Sequence, residues 1–279
     1  METLYYLLSA EDASGGRILF RVHRSVLAKL SSVFADMFSL PSNDAANEMY
    51  DGAFLVDMPD PADALESLLR VIYHETNLVF QRLSPDTPHK VKPILALCNK
   101  YDIPSIRERI VSRLEEDWPR TLNEWDALEA EIEEMQKDLH DSHDCDAYNH
   151  NCDLTNFLPE PVSAINLAVD CDVPSILPAA FYQLMRSSPS YPRYEYLALD
   201  EGDNQDLASE RDDYVSDGGR LASWQDLSAD NHYRLHLGRE RINEAIYDRL
   251  SLKFVAWKKD LPWSSTQLLT FQVPTCRRP

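Results

Sequence analysis

The densest grouping of metal-ligand side chains in the 279-residue sequence is His140, His143, Cys145, His150 and Cys152. Imidazole and thiolate are the donors that zinc prefers, so a metal centre or a zinc-activated water would be built from these residues. Their spacing argues against it. A structural finger pairs closely spaced ligands across a longer arm, whereas these fall irregularly among Asp141, Asp144, Asp146 and Asp153, as in a solvated polar loop. Other routes to chemistry are thinner still. There is no G-x-S-x-G elbow to present a serine and no His-Glu-x-x-His helix. Among seven glycines only Gly15-Gly16 and Gly218-Gly219 are adjacent, which leaves neither a dinucleotide fingerprint nor a P-loop. A triad assembled from distant residues leaves no mark in sequence order. We therefore expect neither an enzyme nor a cofactor, and a zinc-dependent or hydrolytic enzyme on the His140–Cys152 cluster is the rival from that class.

Composition narrows the partners. Lys and Arg number 27 against 47 Asp and Glu, a formal charge of -20 that repels phosphate backbones and anionic lipid surfaces. Proteins are the expected partners, without direct nucleic acid or membrane contact. Cys98, Cys145, Cys152, Cys171 and Cys276 are odd in number and scattered, unlike the dense even framework of a small secreted domain. The opening METLYYLLSAEDASGG has no basic leader, and no window reaches the roughly twenty apolar residues of a membrane span. A cytoplasmic or nuclear location is expected; Lys258-Lys259 and Arg277-Arg278 are too short for a nuclear address.

The elements that would position any site begin with β-favouring runs at Leu4 to Leu8 and Ile18 to Val22, joined through Ser14-Gly15-Gly16. From Arg24 the period becomes helical, with Leu27, Leu30, Phe34, Met37 and Phe38 at three- and four-residue steps, and Ser31-Ser32 marks a division into two helices. Phe54 to Met58 reads as a strand, followed by Asp60 as helix cap and Pro61 in the first turn. Leu65, Leu68, Leu69, Ile72 and Tyr73 share the next helix face; further helices cover about Val91 to Tyr101 and Pro104 to Trp118.

Beyond these, Leu128, Ile132, Met135 and Leu139 give a carboxylate-rich helix one apolar stripe, and a polar segment, His140 to Asn156, comes next. A second helical region opens near Pro161. In it Asp172-Val173-Pro174-Ser175-Ile176 echoes Asp102-Ile103-Pro104-Ser105-Ile106, and both copies read as helix stop and restart rather than as units of a solenoid. Residues 194–219 are acidic, hold Gly202, Gly218 and Gly219, lack an apolar period and read as a flexible loop. Ile242, Ile246, Leu250, Phe254 and Trp257 then line one face of a last helix, expected to pack on its own domain.

The run Phe20-Arg21-Val22-His23-Arg24-Ser25-Val26-Leu27-Ala28, continued by Ser31-Ser32-Val33-Phe34-Ala35-Asp36-Met37-Phe38, resembles the central signature of BTB/POZ domains. The resemblance extends in order through Leu55-Val56-Asp57-Met58, Leu68-Leu69-Arg70-Val71-Ile72-Tyr73 and Leu97-Cys98-Asn99-Lys100-Tyr101-Asp102-Ile103. The remainder is similar to a set of fungal BTB proteins at Trp118-Pro119-Arg120-Thr121-Leu122-Asn123-Glu124-Trp125 and Leu177-Pro178-Ala179-Ala180-Phe181-Tyr182. The expected fold is α+β: a BTB/POZ-like domain over 1–118, a short sheet surrounded by helices, then an acidic helix and polar linker over 119–160. A mostly α-helical domain over 161–279 completes it. At the strand-to-helix turn, His23 reads as a structural histidine.

The resemblance implies an interaction scaffold, with a homodimer face at the first helix and amino-terminal strand, near Arg24, Leu27 and Leu30. It also implies, in some members, recruitment to a cullin ubiquitin ligase through an apolar-x-Glu motif. The nearest match here is Ala46-Asn47-Glu48, where a methyl buries less than the usual larger anchor, by roughly 1–2 kcal/mol. The rival within binding proteins is a transcriptional regulator recruiting corepressors; with no basic stripe or zinc-finger array in the sequence, it would need another subunit.

Overall fold

The computed structural model describes residues 4–40, 49–73, 81–141, 157–190, 193, 214 and 219–260, with the backbone alone for 139–141 and 251–260. They divide into two units, Met1–Ser228 and Ala229–Pro279.

The first unit starts with the antiparallel hairpin β1 (Tyr5–Glu11) and β2 (Arg17–His23), in register from Tyr5↔His23 to Glu11↔Arg17. Its turn closes on Asp12, whose Oδ1 accepts the amides of Ser14 and Gly16, both at 2.8 Å, while Gly15 takes φ +81°. The Ser14 hydroxyl, donating to the same oxygen at 2.7 Å, and then these amides hold the Asp12 carboxyl below its ordinary pKa. Two further strands are β3 (Met49–Tyr50) and β4 (Ala53–Asp57). β4 lies parallel to β1, and β3 pairs antiparallel with β4, which gives the order β2-β1-β4-β3. The β3–β4 turn places Asp51 (φ 48°) and Gly52 (φ 74°) both in the left-handed region, as the twist of a two-residue hairpin demands.

Helices α1 (Arg24–Leu30) and α2 (Ser32–Ser39) are separated where expected, at Ser31, which is extended at φ -134°, ψ 123°. Ser31 Oγ accepts the Phe34 amide at 3.0 Å as an N-cap and donates to the Tyr101 carbonyl, so the break in the helix is also a tertiary tie. α3 (Ala62–Ile72) starts after Pro61, and Asp60 does not cap it. The Asp60 carboxylate instead takes Lys100 Nζ at 2.6 Å and the Tyr101 hydroxyl. A charged donor from another helix, Lys100, outcompetes the local amides for this carboxylate.

α4 (Thr87–Lys100) and α5 (Pro104–Asp117) are joined by the first copy of the repeated punctuation, and α7 (Pro161–Asp170) is closed by the second. The geometry matches. Asp102 and Asp172 sit at φ 50° and 54°. The Ile103 amide reaches back to the Cys98 carbonyl at 2.9 Å and the Val173 amide to that of Ala168 at 2.8 Å, the helix-ending turn that usually employs glycine. The restarts differ. α5 runs on without interruption, whereas the second copy makes one 3-10 turn, Pro174–Ile176, before α8 (Leu177–Arg186). Pro178 lacks the amide that would complete the α-helical bond to Pro174. The two turns are clasped: Asn99 Nδ2 donates to the Cys171 carbonyl at 2.9 Å, and Arg107 bonds both Asn99 Oδ1 (2.8 Å) and the Asp172 carbonyl.

α6 (Leu122–Asp141) buries Leu128 and Ile132 of the predicted stripe against Leu83 and Leu158, with Met135 partly buried beside them, while the side chain of Leu139 lies outside the described residues. α7 opens on Glu160, a buried carboxylate accepting the amides of Val162 (3.1 Å), Ser163 (2.6 Å) and Ser223 (3.0 Å). The acidic stretch 194–219 lies outside the described residues except Tyr214 and Gly219.

The second unit contains α9 (Ala229–Asp260). Here the expectation of a docked apolar stripe is corrected: Ile242, Ile246 and Leu250 are exposed at 43%, 50% and 58%. Periodicity fixes which residues share a helix face but not what covers it. The side chains of Phe254 and Trp257 lie outside the described residues.

Candidate interaction surface

The β2-to-α1 corner holds three of the expected site residues. The His23 amide donates to Tyr73 Oη at 2.8 Å, and the imidazole Nδ1 lies 3.3 Å from the same oxygen. The ring also rests between Tyr5 and Tyr73, with centroids at 4.8 and 5.8 Å. His23 thus fastens the end of β2 to the end of α3, a structural arrangement. Arg24 comes next, half-buried, its amide donating to the Leu4 carbonyl at 3.2 Å. Leu27 is fully buried at 0% exposure, so it supports the face from behind and cannot touch a partner; Leu30 is half-buried. The outward surface of α1 belongs to Ser25 and Lys29, with Arg24, Val26, Ala28 and Leu30 partly accessible. Behind it, Phe34 stacks on Tyr101 at 4.7 Å and on Phe38 at 5.9 Å.

Ala46, Asn47 and Glu48 lie outside the described residues, within 41–48. The residues bordering that segment expose large apolar surface: Leu40 at 71% on one side, Met49 and Tyr50 at 57% on the other. The Asp51-Gly52 turn that presents Met49 and Tyr50 was missed by sequence reading, although an Asp-Gly pair beside a β-favouring run is a hairpin signal.

His143, Cys145, His150 and Cys152 also lie outside the described residues, and His140 contributes only backbone to α6. Among the described residues no group of three or more His, Cys, Asp or Glu is placed to hold a metal ion. Burial pushes the Cys98 thiol up to about 12 and raises that of Cys171, which keeps both protonated and poor nucleophiles near neutrality.

A second polar constellation, not foreseen, joins α5, α6 and α8. Asp117, with its side chain 1% exposed, accepts the amide of Leu83, itself held at φ 60°. Burial raises the Asp117 pKa despite that bond and despite Arg113 at 3.7 Å. Glu129 receives both terminal nitrogens of Arg186 at 2.8 and 2.9 Å and Arg220 at 3.2 Å, and the Arg186 bonds hold its pKa down. Arg186 also lies over the rings of Trp125 and Tyr182, which meet edge-to-face at 4.9 Å. These partners sit up to 91 positions apart, so no local spacing could have announced them. Nearby, a cavity of about 470 Å³ is lined by Arg82, Glu115, Arg120, Glu124 and Glu131. Two of its carboxylates are paired within it, Glu131 with Arg82 and Glu115 with Arg120, while Glu124 accepts the amides of Arg120 and Thr121 and Glu116, also in the lining, pairs with Arg113.

Residues 10–117 match the family model of the BTB/POZ domain, from within β1 to the end of α5. No curated protein matches the chain.

Proposed function

We propose that the BTB/POZ domain formed by residues 10–117 couples this chain to a cullin ubiquitin ligase, with the helical region beyond it available to a second protein. A domain of this family makes the chain a protein–protein interaction scaffold; BTB/POZ domains typically work as interaction modules rather than enzymes and often self-associate. The cullin assignment rests on one observation: the stretch containing Ala46, Asn47 and Glu48 is flanked on both sides by exposed apolar side chains, Leu40, Met49 and Tyr50. Such flanks supply the buried area that the small Ala46 anchor lacks, while Glu48 supplies the charge. Self-association through the α1 surface around Arg24 and Leu30 accompanies this reading, and the location is cytoplasm or nucleus.

The test is light-scattering sizing of the full chain, alone and mixed with the amino-terminal part of a cullin. A co-eluting complex that is lost with Glu48→Lys is expected. A cullin that elutes separately at micromolar concentrations overturns the adaptor assignment, and a corepressor fragment in the same assay then becomes the next partner to try.

A further inference from the structure

We infer that the free edge of β2 is a strand-addition site for an acidic extended peptide, a surface separate from both the α1 face and the 41–48 segment. Among the described residues β2 ends the sheet on one side, paired with β1 alone. It is seven residues long, whereas the strand at the opposite edge, β3, has two. Natural edges are usually blunted by proline, lysine, a bulge or shortness, because unpaired amides and carbonyls template another strand. Arg17-Ile18-Leu19-Phe20-Arg21-Val22-His23 contains no proline, lysine or bulge and is not short; its charged side chains, Arg17 and Arg21, guard the edge against a second copy of itself but not against an acidic strand. Ile18 and Leu19 expose 37% and 39% of their surface, one on each face of the strand.

Charge selects the occupant. From Arg17 to Ala35 there is no carboxylate, while Arg17, Arg21, Arg24 and Lys29 are all cationic, in a chain of net charge -20. Arg17, Leu19 and Arg21 alternate along one face by the two-residue period of a strand. Arg17 reaches Asp57 at 3.2 Å with its side chain 63% exposed, and Arg21 lies 4.8 Å over the Tyr5 ring and is exposed. An incoming strand is therefore matched when a carboxylate, an apolar side chain and a second carboxylate stand at alternate positions opposite Arg17, Leu19 and Arg21. Opposite charges facing each other across a ladder stabilise it, and main-chain bonds supply the sequence-independent part. Pairing of two β2 edges from separate copies would gather four arginines into one two-stranded patch, which works against self-association here.

The probe is a fluorescein-labelled peptide, Thr-Glu-Thr-Val-Thr-Glu-Thr, titrated with the full chain and read by fluorescence anisotropy. Saturable binding below about 1 mM is expected, weakening as salt is raised. A version N-methylated at alternate amides should lose at least tenfold in affinity, since strand addition needs those donors. Arg17→Glu/Arg21→Glu should lose the acidic peptide and gain one carrying lysine in place of glutamate. Circular dichroism monitors its folding, and the milder Arg17→Gln/Arg21→Gln should weaken binding and flatten its salt dependence. The inference is overturned if the acidic peptide does not saturate, or if the N-methylated version binds equally well. The probe contains no cullin, so its outcome is independent of the adaptor assignment.

Discussion

The sheet domain and the helical extension attached to it are held by different kinds of polar contact. In the first, elements are tied end to end largely by side chains that bond backbone groups or neutral partners, the His23 amide to Tyr73, Ser31 to the Tyr101 carbonyl and to the Phe34 amide, alongside the ion pair of Asp60 with Lys100. Beneath them lies an apolar interior in which Leu8, Leu27, Phe34, Leu65, Leu68 and Leu95 have no accessible surface. Where the second meets it, Leu128, Ile132 and Leu158 of the extension pack on Leu83 of the sheet domain, flanked by acidic and basic groups, Asp117 of the sheet domain on one side and Glu129 with Arg186 and Arg220 on the other. Neutral ties cost little desolvation and depend weakly on pH. Ions taken out of water wholly, as Asp117 is, or partly, as Glu129 is, cost more to desolvate and are sensitive to loss of a single partner. The extension should therefore be the region whose attachment responds to pH and to single charge deletions.

The comparison can be broken most forcefully in the sheet domain. Phe34→Ala removes a fully buried ring stacked on Tyr101 and Phe38, and should cost about 3–5 kcal/mol of stability, measured by chemical denaturation. A loss within experimental error of zero would mean that the interior is not organised around this residue. Next in size, Asp117→Ala leaves the buried Leu83 amide without its acceptor, a cost of about 1–3 kcal/mol, while Asp117→Asn keeps an acceptor oxygen and should lose less. Equal losses in the two variants would show that charge, not the amide bond, is what Asp117 contributes.

The same residue and Glu129 sharpen the pH contrast. The folded pKa of Asp117 lies above its ordinary 3.8, so the stability linked to it is full below that value and is lost as pH rises through the folded pKa. Glu129 lies below its ordinary 4.5, so its contribution is present above 4.5 and is lost as pH falls through its folded value. In melts across this acid range, Asp117→Asn should remove a component that declines with rising pH. Glu129→Gln should remove one that grows with it. The smallest expected effect lies at the two helix stops. Asp172→Gly relieves a left-handed backbone and should raise stability by roughly 0.5 kcal/mol. Asp102→Gly should gain less, because Asp102 also accepts the Ser32 hydroxyl at 2.5 Å. Thermal midpoints that rank the two in the opposite order would refute this assignment.

The elements were legible wherever one residue type acts through its own backbone or through a regular period. The helix break at Ser31, the buried stripe of α6 and both helix stops after Tyr101 and Cys171 fall into this class. The role of Asp60 was misread because an acidic residue before Pro61 fits a local cap, and only folding brings Lys100 and Tyr101 within its reach. Glu160 escaped notice because glutamate is not a preferred cap and one of its three amide donors, Ser223, lies 63 positions away. Of the expected interaction residues, Arg24 and Leu30 remain accessible in part, whereas Leu27 turned inward, since helical spacing places it over the sheet.

By itself the sequence determined the α+β organisation, the BTB/POZ signature and the acid-free cationic stretch from Arg17 to Ala35. These come from periodicity, turn chemistry and composition, which act over a few residues. Only the tertiary structure decided that β2 ends the sheet among the described residues, that Asn99 and Arg107 clasp the second helix stop, and that Glu129 gathers two arginines beside Trp125 and Tyr182. Those outcomes depend on which distant segments share an interior, where each burial and each ion pair is fixed by the competition of the whole chain for the same space.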